Sequence, residues 1–83
     1  MADMKQLIDD ITIELEHAQA KFPPFHTPHE GYAVILEELD ELWELCRVNR
    51  GRTLQAREEA IQIAAMAIRY VADLILPASE NVE

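Results

Sequence analysis

The sequence holds only two glycines, one cysteine and five aromatic side chains, and its seven basic residues are outnumbered by sixteen acidic ones. Scarce glycine argues against turn-rich β architectures, and an apolar share of 49% argues against disorder. The lone Cys46 cannot close an internal disulfide. No uncharged run approaches the roughly eighteen residues of a membrane helix, and the opening MADMKQLIDD lacks the basic and apolar blocks of a signal peptide. A cytoplasmic protein is therefore expected. A net charge of −9 repels nucleic-acid phosphates and anionic lipid headgroups, so neither nucleic acid nor membrane is an expected partner. With 83 residues the chain is long enough for one domain, 1–83, and short enough that a partner subunit would help complete its core.

What remains is helical, and the spacing predicts an all-α domain of three main helices, about 4–22, 28–48 and 54–76. Met4, Leu7, Ile8, Ile11, Leu15, Ala18 and Phe22 recur at steps of three and four, opposite Lys5, Asp9 and Glu16. Asp3 with Gln6 forms a capping pair and Pro23-Pro24 stops the helix. Ile13 lies off the stripe and is either exposed, the commoner outcome, or a contact to another subunit. Thr27-Pro28-His29-Glu30 combines a threonine cap, proline at the first helical position and a glutamate in the first turn. The second helix should close at Asn49-Arg50-Gly51, with glycine in the left-handed conformation. The third starts near Thr53 and ends before Pro77, with residues 1–3 and 78–83 frayed.

The stretch VILEELDELWEL carries five carboxylates among the apolar residues of a buried helix. At roughly 100° per residue, Tyr32, Val34, Ile35, Leu36, Leu39, Leu42, Trp43, Leu45 and Cys46 sweep an arc of about 200°. Glu38 falls inside that arc and Glu41 at its edge, whereas Glu37, Asp40 and Glu44 cluster on the solvated side. A buried carboxylate without a partner costs several kcal/mol or takes up a proton, so a pair one turn apart calls for a cation. For a lone inward glutamate the commoner answer is an arginine. The third helix shifts the balance: Glu59, Gln62, Met66, Arg69 and Asp73 form a polar stripe about 80° wide on a helix otherwise apolar over about 240°. A stripe so narrow points to an interior site, with a structural network through Arg69 and Asp73 as the alternative. Glu38, Glu41 and Glu59 on antiparallel helices could converge on Mg²⁺ or Mn²⁺, hard cations that prefer carboxylate oxygens.

Glu37-Glu38-Leu39-Asp40-Glu41, followed after seventeen residues by Glu59-Ala60-Ile61-Gln62, resembles the ExxE…ExxD signature of the all-α nucleoside triphosphate pyrophosphohydrolases, the MazG-like group. HEGYAVILEELDELW and REEAIQIAAMAIRYVADL are similar to small MazG-like proteins of phage and prophage settings, so the likeness covers residues 29–74. It implies helical hairpins that pair into four-helix bundles as a homodimer or homotetramer, and Mg²⁺-dependent hydrolysis of a nucleoside triphosphate to the monophosphate and pyrophosphate. Glu38, Glu41 and Glu59 take the positions of metal-holding, catalytic carboxylates. Gln62 stands where the family has aspartate, and its amide offers an oxygen but neither charge nor basicity. Glu37 or Asp73 could compensate, or catalysis could be lost.

Larger members continue with a helix that supplies basic substrate contacts, which here would have to come from elsewhere. Arg47, Arg50, Arg52 and Arg57 in the connection hold four of the seven basic residues. Arg52 and Arg57, with Arg69 and Lys21, are candidates to grip phosphate, while Arg47 and Arg50 are equally suited to neutralising the end of the second helix. Phe22, Phe25 or Tyr32 could contact the base, though each also suits a core or loop anchor. His26, His29 and Cys46 make a poor zinc set, for the histidines straddle a proline-capped helix start and a fourth ligand is missing; a cysteine on an apolar face is usually core. The competing expectation is a catalytically inactive fold of the same kind, serving as an acidic protein-interaction or nucleotide-binding module.

Overall fold

The computed structural model describes residues 3–76. Helix α1 spans Met4–Lys21, α2 Pro28–Arg47 and α3 Leu54–Tyr70, and α3 runs on into a π-helical turn, Val71–Ile75. No strand occurs among the described residues, and none of these helices is long and apolar enough to cross a membrane. Pro77 as a helix stop and the fraying of residues 1–2 and 78–83 lie outside the described residues, whereas Asp3, expected to fray, is the N-cap of α1.

Helix starts follow the capping chemistry. Asp3 Oδ1 accepts the Gln6 amide N–H at 2.8 Å, but the Gln6 side chain reaches forward to Asp10 at 2.9 Å instead of back to the cap. Thr27 accepts from the Glu30 N–H, and the Glu30 carboxylate reaches back one residue beyond the cap, accepting from the His26 N–H at 2.7 Å. Thr53 caps α3 by accepting from the Ala56 N–H.

The end of α2 departs from expectation. Asn49, with φ 64°, takes the left-handed position and Gly51 does not. The Asn49 N–H donates to the Cys46 carbonyl and the Arg50 N–H to the Leu45 carbonyl at 2.7 Å, the double closure of a Schellman ending. Asparagine tolerates this conformation. Gly51 instead makes room for the cysteine before it, since a Cβ there would sit 3.2 Å from Cys46 Sγ. Cys46 itself is exposed, not core.

Helix α3 is the central element, packed on α2 along one side and α1 along another, while α1 and α2 barely meet. Ala18, Phe25, Ala65 and Met66 form the core, covered by Ile11, Leu15, Val34, Ile35, Tyr70 and Leu74. Only half of α2's apolar arc faces α3. Val34, Ile35, Leu42 and Leu45 are partly buried, whereas Tyr32, Leu36, Leu39 and Trp43 stand in solvent, as does Ile13 of α1.

Gly31 seats α2 against the end of α3, because a Cβ there would lie 2.6 Å from Cδ2 of the Tyr70 ring and 3.3 Å from Leu74 Cδ1. Gly31→Ala gains about 1 kcal/mol of helix propensity but forces the ring to move, at about 1–3 kcal/mol for overpacking. The expected net is a loss of about 1 kcal/mol in urea unfolding, opposite in sign to the same change at an exposed helical glycine.

Candidate metal centre and the cleft beside it

Glu38 and Glu41 are one turn apart on α2, and antiparallel α3 sets Glu59 against them. The three carboxylates each offer an oxygen within 4.8 Å of the others. Glu38 and Glu59 are half-buried and Glu41 is exposed. Glu38 Oε2 is buried with no hydrogen-bond partner. Burial, followed by the negative charge of Glu41, pushes the Glu38 carboxyl up to about 7, with Glu37 and Glu14 adding to the effect. Glu59 rises likewise to about 7 through burial and then Glu41, with Glu38 and Glu58 contributing.

An arginine does not supply the missing charge. The ion pairs among the described residues are Lys5–Asp9, His26–Glu30, Arg47–Glu44, Arg57–Asp10 and Arg69–Asp73, and none touches the three glutamates. Three hard oxygen donors, one of them orphaned, suit Mg²⁺ or Mn²⁺.

A cleft of about 760 Å³ opens beside the cluster, walled by α1 and α2 and floored by α3. Glu38 and Gln62 line it, as do Glu37, Lys21 and Phe22. Gln62 is half-buried on the same floor and shares the cleft lining with Glu38. Sequence reasoning missed the wall that α1 contributes through Glu14 and His17. Their signal was present: residues 14, 17 and 21 share one helical face beside the buried Ala18.

Arg69 and Asp73 belong to a different structure. Arg69 is 4% exposed; it donates to the Pro23 carbonyl at 2.6 Å, approaches Asp73 Oδ2 at 3.5 Å and stacks on the Phe25 ring at 4.0 Å. The same Asp73 oxygen accepts the Phe25 N–H at 2.9 Å. The pair thus pins the α1–α2 connection to α3, and the π-helical turn carries Asp73 to its partner. Arg69 borders the cleft while engaged with Pro23, Asp73 and Phe25, and Asp73 is apart from the carboxylate trio. Arg57 ties α3 to α1 through Asp10 at 2.7 Å, drawing the Asp10 carboxyl below its ordinary range. Arg52 is exposed in the α2–α3 connection and does not line the cleft; Lys21 does. Arg47 pairs with Glu44 on its own helix. His26 approaches Glu30, and Cys46 lies about 27 Å along α2 from the helix start that His26 precedes.

In comparisons with known proteins, no family model matches the chain, and no curated protein or solved structure matches it.

Proposed function

We propose that the protein is a divalent-cation-dependent nucleoside triphosphate pyrophosphohydrolase of the MazG-like kind, converting a nucleoside triphosphate and water to the monophosphate and pyrophosphate. The observation that carries this is the buried, unpartnered oxygen of Glu38 in a trio of carboxylates drawn from two helices, bordering a cleft of nucleotide size. The order Glu38-x-x-Glu41…Glu59-x-x-Gln62 supports the same function by resemblance.

Glu38, Glu41 and Glu59 would hold Mg²⁺ or Mn²⁺, with Gln62 a neutral fourth donor. The bound ion would neutralise phosphate oxygens and acidify a water ligand. Glu41, the member open to solvent, is the carboxylate we assign to orienting the water and receiving its proton as it attacks the α-phosphorus; the α–β bridging bond breaks and pyrophosphate leaves. Pyrophosphate release from a panel of nucleoside triphosphates, with Mg²⁺ or Mn²⁺ and with chelator, tests the proposal. Release that requires the cation supports it. A folded protein that binds nucleotide and cation without release is a binding module instead.

The proposed assembly follows from the apolar surface that one copy leaves bare. Tyr32, Leu36, Leu39 and Trp43 fall within about 60° on α2, and Ile68 and Val71 are exposed on the side of α3 turned away from the cleft. Exposed apolar side chains gathered on one face suit an interaction surface. A second copy laying its α2–α3 hairpin on it would complete a four-helix bundle and leave both clefts open. Leu39→Glu is expected to convert the assembly to monomers in sedimentation equilibrium; an unchanged mass would place the interface elsewhere.

A further inference from the structure

We propose that Phe22 is the base-stacking residue of the cleft, so that a nucleotide lies with its phosphates at Glu38 and its base at the α1–α2 connection. The inference rests on the hydrolase proposal above and assigns the two ends of its substrate.

Charge sets the direction. The cleft is bordered by Glu14, Glu30, Glu37 and Glu38 against two cations, Lys21 and Arg69, and Arg69 is paired with Asp73 and hydrogen-bonded to the Pro23 carbonyl. A polyphosphate is repelled along such a wall except where a divalent cation bridges it to the protein. The carboxylates able to hold that cation lie at the Glu38 end. The other end holds Phe22, Pro23 and Phe25 beside Lys21, Glu30 and Arg69, and there the cleft offers a base an apolar, aromatic surface. From Gln62 to Arg69 the floor of α3 runs about 10 Å, comparable with the span of a nucleoside.

Three aromatics were candidates for the base, and the structure separates them. Phe25 is 5% exposed and its face is covered by the Arg69 guanidinium. Tyr32 is 62% exposed but does not border the cleft. Phe22 borders it with half its surface open, and the Arg69 guanidinium stands 5.8 Å from its centroid against 4.0 Å for Phe25. It is also held in place: its N–H donates to the Ala18 carbonyl at 2.9 Å, the rigid Pro23-Pro24 follows, and Arg69 fastens Pro23. An exposed ring on a backbone fixed before the ligand arrives needs less ordering to stack a base. Lys21 Nζ lies over the same ring, 5.3 Å from its centroid.

The test uses the full chain with Mn²⁺ and two probes, α,β-methylene nucleoside triphosphates, which cannot be cleaved at the α–β position, and inorganic tripolyphosphate, which has no base. Phe22→Ala and Phe22→Leu are expected to weaken nucleotide binding roughly tenfold or more and to leave tripolyphosphate binding unchanged. In a Trp43→Phe background, Phe22→Trp should lose emission on adding nucleotide and keep it on adding tripolyphosphate. The three Phe22 variants change a half-exposed side chain and Trp43→Phe keeps an aromatic ring, so the fold and the assembly are expected to persist, which circular dichroism and sedimentation check. Unaltered nucleotide affinity in Phe22→Ala, or an unquenched Phe22→Trp that still binds nucleotide, overturns the stacking assignment while tripolyphosphate binding and turnover leave the hydrolase intact. Failure of wild-type protein to bind either probe overturns both.

Discussion

Glu38→Gln is expected to lower cation-dependent kcat/KM on the order of a thousandfold, the equivalent of about 4 kcal/mol of transition-state stabilisation. Glutamine matches the glutamate in volume and keeps an oxygen, so the loss reads the charge and not the packing. Glu41→Gln and Glu59→Gln should fall comparably, since each removes a third of the negative charge that meets the cation. Asp40→Asn and Glu44→Gln change equally acidic but exposed positions of the same helix and should leave the rate near wild type. Pyrophosphate release under saturating Mg²⁺ measures all five. An acidic interaction module would show the reverse pattern, with partner binding lost in the outer variants and retained in Glu38→Gln. Equal, small effects at inner and outer positions would dispose of the catalytic centre.

The inner and outer carboxylates were separable in the sequence because helical phase is local. Glu38 and Glu41 share a face whatever packs against it, and Glu59 follows a short connection that forces α3 back along α2. The helix starts were legible for the same reason, each written in a threonine or aspartate cap. What was not legible depended on chain folded in from afar. Arg69 and Asp73 sat on the polar stripe of α3 and could be read as site or scaffold. Their partners, Pro23 and Phe25, are 46 and 48 residues away in the chain, and only the packing of α1 brings them near. The π-helical turn that carries Asp73 shifts helical phase without altering composition. The closure of α2 fell to Asn49, while Gly51, the expected left-handed residue, lies close against Cys46. The apolar arc of α2 was legible in extent but not in use, for a sequence does not say which half faces its own α3.

The raised pKa values of Glu38 and Glu59 couple the fold to pH and to cation in opposite directions. Without cation, both carboxyls hold their protons to about pH 7 in the folded chain but release them near pH 4.5 when unfolded. The unfolded chain thus binds fewer protons across that window, and stability falls as pH rises through it, levelling off above about 7. Asp10 and Glu44, whose carboxyls are drawn below their ordinary values of 3.8 and 4.5, lose their contribution on the acid side of the window. Adding Mn²⁺ or Mg²⁺ reverses the trend. The deprotonated carboxylates are the ligands, so cation affinity climbs with pH, and at a hundredfold excess over Kd the fold gains about 2.7 kcal/mol. For a domain of this size each kcal/mol moves Tm by roughly 4–8 °C. Thermal unfolding scanned over pH should therefore give a curve that descends without cation and a cation-induced rise in Tm that grows toward pH 7 and above. In the double variant Glu38→Gln, Glu59→Gln both slopes should flatten, and the metal-free protein should unfold at a higher temperature than wild type at neutral pH. A wild-type Tm that stays level across the window, or a cation shift of equal size in the double variant, would mean that the carboxylates are solvated and independent, with no need of the ion that the buried Glu38 oxygen otherwise demands.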